Sequence, residues 1–346
     1  QDKTRQDKTR HYYFDFLRVI AVYGVIVNHY VSEEWETIDI NSVNWHLLGV
    51  FLGLIKYHVP IFIMISGALF LSRDVPLRKI YSKYILRMFT AFTFWSLFYA
   101  MGYYVAEKWT VMHMLAHFVE GHYHLWFPLM ISGMYAIIPF LKRITASEFL
   151  TKYFLILTFI FAFLIPHFIG WTSLVSPKAA ASLKIFISKF HFNFVMGYTG
   201  YFILGYFLNN IDISAKIERV IYVLGILGFI LTVSDSIISS HIAGYARGAS
   251  GQLGVLCETI AIFIFFREHI PNNSKLLNVM QKFSKYVFGI YLVHSFVMGL
   301  IKRAGFRVLA FNPIFSAPVI SLIILIMSSV ISIILNLIPV LKRYIV

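Results

Sequence analysis

Three ionisable side chains interrupt the apolar stretch Phe14–Tyr30: Asp15, Arg18 and His29. A guanidinium can hold an anion or an oxygen that becomes negative, and a carboxylate can fix its fork. An imidazole, with an ordinary pKa near 6.5, can take a proton from a hydroxyl. Helical spacing puts all three on one stripe. Asp15 and Arg18 are i,i+3 neighbours within reach of an ion pair. Between Arg18 and His29, 11 residues turn through about 1100°, which returns His29 to within roughly 20° of Arg18, about 16 Å along the axis. In a bilayer such a stripe must face protein or water, because a charge in hydrocarbon costs several kcal/mol. The plain alternative is a structural Asp15–Arg18 pair and a capped His29.

Further reactive groups lie along the chain. HMLAHFVEGHYHLWFPL at 113–129 carries His113, His117, His122 and His124 around Glu120. It invites a zinc reading, but no HExxH is present, and Tyr123, Trp126 and Phe127 also suit an interfacial aromatic belt. We read His124, Trp126 and Glu120 as substrate-facing groups and expect no metal. Glu258 lies in mid-helix and needs a partner or a proton. His294 lies deep in a later helix, behind Ser284 and Lys285. Cys257 has no sign of an activated thiol and is expected to pack. A basic cluster comprises Arg73, Arg78, Lys79, Lys83 and Arg87. Lys79, Lys83 and Arg87 are four apart and would form a cationic ridge suited to a polyphosphate, or to membrane topology and anionic lipid.

The elements that hold these groups are membrane helices. Mean hydropathy is +0.73, 59% of residues are hydrophobic and only 13% are charged, against about 25% in soluble domains. The net charge of +14 sits in short patches between apolar runs, which fits membrane orientation and not nucleic-acid binding. One cysteine excludes an intrachain disulfide framework. The polar repeat QDKTRQDKTR at the N-terminus is no signal peptide and reads as a duplicated flank. The expected fold is all-α and polytopic, with about ten transmembrane helices near 14–31, 46–71, 84–105, 122–141, 152–170, 190–209, 218–236, 251–266, 284–301 and 313–338. Residues 1–13 and 339–346 would be tails and 14–338 one membrane domain. Lys and Arg number 19 on the side shared by both termini and 8 on the other, which predicts cytoplasmic termini. Pro60 should bend or break the second span, while Ser66-Gly67 should admit a close neighbour.

The pattern resembles the acyltransferase-3 family of integral membrane acyltransferases, particularly its surface-polysaccharide O-acetyltransferase branch. The resemblance is carried in order by FDFLRxxAVxxVxxNH at 14–29, FxxxSGxLF at 62–70, KYxxR at 83–87, HLWF at 124–127, MYAIIP at 134–139, LGYFL at 204–208 and SKYVFGIYLVH at 284–294. It implies ten helices around a centre that passes an acyl group, such as acetyl from acetyl-coenzyme A, to a hydroxyl of an extracytoplasmic glycan or lipid-linked precursor. The matching positions are Arg18, His29, Ser66, Gly67, Arg87, His124, Trp126 and His294. A multi-pass protein of the bacterial cytoplasmic membrane is thus expected. His29 would be the base, with Arg18 and Asp15 beside it. Arg87, Lys83, Lys79 and Arg78 would hold the coenzyme, and His124, Trp126, Glu120, His294 and Glu258 would face the acceptor. A transporter or flippase is the rival class, since Pro60 and intramembrane Arg, His and Glu suit proton-coupled movement. The two halves show no repeat of Arg18 and His29. A non-catalytic, lipid-binding membrane subunit is the third.

Overall fold

The computed structural model describes residues 2–192, 197–249, 251–270 and 273–346. Among them the regular elements are all helices. The first, α1 (Asp2–Trp35), is the axis of the molecule. Near Asp15 it enters a core built of Leu17, Ile63, Met64, Phe202 and Phe263. Near His29 it enters a second, with Ile26, Tyr30, Trp45, Leu292 and Val293. After α1 come α2 (Val43–Leu54) and α3 (His58–Leu71), then a π-helix at Ile80–Ile85 leading into α4 (Leu86–Ala106). Next are the short α5 (Val111–Glu120), α6 (Trp126–Ala136) and α7 (Ile138–Thr145). The second half comprises α8 (Glu148–Val175), α9 (Pro177–Ser188), α10 (Thr199–Asn210), α11 (Ala215–Ala243) and α12 (Leu253–Glu268). It closes with α13 (Ser274–Ser284), α14 (Val287–Arg303), α15 (Pro313–Leu337) and α16 (Pro339–Tyr344).

Five segments among the described residues are long and apolar enough to cross a membrane: Tyr12–Trp35, Val43–Leu71, Glu148–Val175, Ala215–Ala243 and Pro313–Leu337. The pairs α6/α7, bent by 57°, and α13/α14, bent by 66°, raise the number to seven if each is one broken span. This is a polytopic membrane protein with five to seven such spans by length and composition, fewer than the ten expected. The other three expected spans coincide with α4, α10 and α12. α4 is long enough, but threonines, tyrosines and tryptophan dilute its apolar character. At 1.5 Å per residue, the 12-residue α10 and 16-residue α12 reach about 18 and 24 Å, short of a hydrocarbon core of about 30 Å.

Pro60 does not break the second span where expected. The interruption precedes it, at Ile55–Tyr57, and Pro60 sits in the first turn of α3, where its missing N–H leaves no intrahelical bond unmade. The Ser66-Gly67 reading holds. A Cβ on Gly67 would lie 1.8 Å from the Phe202 carbonyl oxygen, and one on Gly205 would lie 2.0 Å from that of Met64. α3 and α10 therefore touch backbone to backbone, as small residues allow in membranes. Gly67→Ala is expected to destabilise the protein by about 1–3 kcal/mol, read as a lowered thermal midpoint in detergent. Gly133→Ala, at a site with nothing within 4 Å, should be close to neutral. Equal midpoints for the two variants would refute the α3–α10 contact.

α15 inverts the pattern of a soluble amphipathic helix. Ser316, Ser321, Ser328 and Ser332 are buried, whereas Leu322, Ile326, Val330 and Ile334 are exposed. Small hydroxyls face the protein, with Ser316 donating to the Val308 carbonyl and Ser332 to the Tyr286 carbonyl, and branched apolar side chains face outward. This is the arrangement expected of a scaffold helix in lipid.

Candidate active site

At one end of α1 the predicted ion pair forms, with Arg18 Nη1 3.1 Å from Asp15 Oδ1. Ser284 Oγ donates to the same Asp15 oxygen at 2.5 Å. That bond ties α1 to the elbow between α13 and α14. Arg18 then forms part of the wall of a cavity of about 380 Å³. Arg73, Arg87 and Lys285 also line it, so four cationic side chains face one chamber. Its remaining wall mixes apolar rings with Ser66, Ser284, Tyr84 and Tyr135. Arg87 lies over the Phe288 ring at 5.3 Å and donates from Nη2 to the Val346 carbonyl at 2.5 Å. Among the described residues its buried Nε has no partner, leaving donor capacity on the fork. An anionic, partly apolar ligand fits this chemistry.

The expected cationic ridge does not enter the cavity as a unit. Lys79 and Lys83 are exposed, and the Lys83 ammonium lies over the Tyr84 ring at 5.7 Å. Arg78 is also exposed. Of the four basic residues assigned to the coenzyme, only Arg87 lines the cavity.

At the other end of α1, three histidines far apart in sequence meet. The His29 ring stacks on that of His294 at 5.5 Å, and the His294 ring meets that of His124 at 5.0 Å. His29 is half-buried, while His124 and His294 are fully buried. His294 Nδ1 lies 2.6 Å from the Tyr291 carbonyl. Only an N–H can donate there, so Nε2 carries the lone pair, and among the described residues it has no partner. His124 Nδ1 is 2.9 Å from His122 Nδ1, and one of the two rings must supply the proton. Tyr123 places its ring edge against His29 at 4.8 Å, and its hydroxyl is 3.0 Å from Ser295 Oγ.

The other predicted site residues lie elsewhere. Trp126 is 41% exposed and stacks on Tyr198 at 5.7 Å. Glu120 is exposed at the end of α5, a helix with no buried residue. Glu258 is buried, with Oε2 unpartnered among the described residues, but it lines no part of the cavity. Cys257 packs where α12 crosses α11, against Gly228. Among the described residues no group of three His, Cys, Asp or Glu side chains is placed to hold a metal ion. Sequence reasoning passed over Tyr291. It lines the cavity, and its i,i+3 spacing to His294 was the available signal.

Comparison with curated proteins and with solved structures gives no match. A family model described as an acyltransferase domain, by contrast, matches residues 11–337. That match spans both the cationic cavity and the three-histidine centre, and the chain belongs to the acyltransferase-3 family: it is a membrane acyltransferase.

Proposed function

We propose that the protein transfers a short acyl group, acetyl in the first instance, from cytoplasmic acyl-coenzyme A to a hydroxyl of an extracytoplasmic glycan or lipid-linked precursor. It does so in the bacterial cytoplasmic membrane, with α4, α10 and α12 completing ten spans and both termini inside. The observation that carries this reading is the meeting of two compartments along α1. A chamber lined by four cationic side chains reaches Phe127 and Tyr291. The Tyr291 ring in turn touches those of His124 and His294, at 5.6 and 5.9 Å. The 19 to 8 charge bias supports putting the chamber on the cytoplasmic side, where the coenzyme is.

In this reading Arg18, Arg73, Arg87 and Lys285 bind the anionic coenzyme, and the thioester points along α1 towards the histidines. His29, the most accessible of the three rings, accepts the proton as the acceptor oxygen bonds to the acyl carbon. The carbon–sulfur bond breaks, and the thiolate takes the proton back from His29. The reaction is therefore proton-neutral overall. Arg18, held by Asp15, orients the thioester arm or the charge that develops on it. Purified protein in detergent, given acetyl-coenzyme A and a total lipid-linked glycan extract, should release coenzyme A thiol together with O-acetylated acceptor. If acetyl-coenzyme A neither binds nor turns over, the reading is lost, and a transporter or accessory subunit takes its place.

A further inference from the structure

One residue belongs to both compartments. Tyr291 lines the cationic cavity, and its ring packs on Phe127 at 5.7 Å, which itself packs on Phe62 at 5.9 Å. All three rings line the chamber, and the Tyr291 ring also meets those of His124 and His294. On the far side, the Tyr291 hydroxyl donates to the His124 backbone carbonyl, and the Tyr291 carbonyl accepts from His294 Nδ1. The ring is thus fastened to the His124 backbone, while the backbone of the same residue holds His294. None of the three histidines lines the cavity, so the chamber and the centre are separate compartments in this state.

We propose that Tyr291 is a positioning residue that acts as a latched gate between the donor cavity and the histidine centre. Resting on the acyl-transfer reading above, the inference adds how the two half-sites are kept apart. To bring a thioester from the chamber to His29, the Tyr291 ring must swing aside. That movement breaks the hydroxyl–carbonyl bond and leaves the buried His124 carbonyl without its donor, an unfavourable state unless an arriving group replaces it. Acceptor binding beside His124 can supply that group. Without acceptor the gate stays shut, and water beside the histidines does not meet the thioester. Hydrolysis is the same chemistry with water in place of the alcohol: the water oxygen bonds to the acyl carbon, the carbon–sulfur bond breaks, and its proton ends on the thiol or carboxylate. The latch thus suppresses a wasteful reaction that the centre is otherwise built to perform.

The test uses the full-length protein in detergent with acetyl-coenzyme A and no acceptor, following thiol release. Tyr291→Phe keeps the ring that walls the cavity and removes only the latch. It should raise the hydrolysis rate about fivefold, the population shift that loss of one ordinary hydrogen bond gives, with KM for acetyl-coenzyme A unchanged. Phe127→Ala opens the same barrier from the other ring without touching His124 and should also raise hydrolysis. A merely structural tyrosine would instead lower the thermal midpoint and reduce turnover. If hydrolysis is unchanged or falls in a folded Tyr291→Phe protein, or rises in neither variant, the gate is refuted. Failure of the wild type to bind acetyl-coenzyme A strikes the donor reading instead, so the two failures are distinguishable.

Discussion

His29→Gln should reach the membrane in normal amount, bind acetyl-coenzyme A about as well as the wild type, and lose about 10²-fold or more in O-acyl transfer. Glutamine keeps hydrogen-bonding capacity but cannot accept a proton at useful pH. The loss therefore isolates proton transfer from packing. The site gives this contrast its force. His29 is half-buried, with its ring between those of Tyr123 and His294, and among the described residues no ion pair depends on it. An interaction made only in the transition state lowers kcat with little change in donor affinity. His29→Ala should behave alike, with a modest loss of stability for the missing ring contacts. Initial rates and donor binding on the same purified variants decide the matter. A His29→Gln protein that keeps more than about half of the wild-type rate would move the base to His294. The unpartnered Nε2 lone pair of that ring already has the orientation a base requires.

What could be read from the sequence follows the range over which each interaction acts. The Asp15–Arg18 pair was legible because i,i+3 neighbours on a helix meet whatever surrounds them. The close approach at Gly67 was legible because a missing side chain matters only where something comes near. His29, His124 and His294 were each named as candidates, but spacing alone gives no reason for them to converge, since they come from α1, the turn before α6, and α14. That only Arg87 of the Lys79–Lys83–Arg87 series lines the cavity, while Lys79 and Lys83 are exposed, depends on how deep each turn sits in the fold, which a spacing of four does not encode. The Ser284–Asp15 bond joins residues 269 apart and was equally hidden. So was Tyr291, whose importance depends on packing from α6. The ten spans counted from hydropathy exceed the five to seven that meet a test of length and apolarity, in part because α10 and α12 are short. These two helices bury themselves by backbone contact at Gly205 and Gly254 instead of by an all-apolar surface.

The second large effect concerns the donor. Arg87→Ala should weaken acetyl-coenzyme A binding by about 10-fold or more, the loss typical of a charge-assisted hydrogen bond made by a partly buried guanidinium. Lys79→Ala, Lys83→Ala and Lys108→Ala should each change it by less than about twofold, because exposed cations contribute little. The ridge reading gives a different order, with Lys79 and Lys83 close to Arg87 in effect, so one series of four variants separates the two. Arg87 also holds the Val346 carbonyl, and some loss of stability will accompany its removal. Arg87→Lys tells these contributions apart. It keeps a charge that can reach the chamber but loses the planar fork, so it should regain part of the affinity and remain weaker than wild type. Binding to wild type should weaken as salt rises, and that dependence should be shallower in Arg87→Ala, since one screened contact is gone. Calorimetric titration at two ionic strengths reads both quantities. Equal affinities for Arg87→Ala and Lys108→Ala would mean that the cationic chamber is not where the donor's phosphates lie, and that its charges serve only to orient the chain in the membrane.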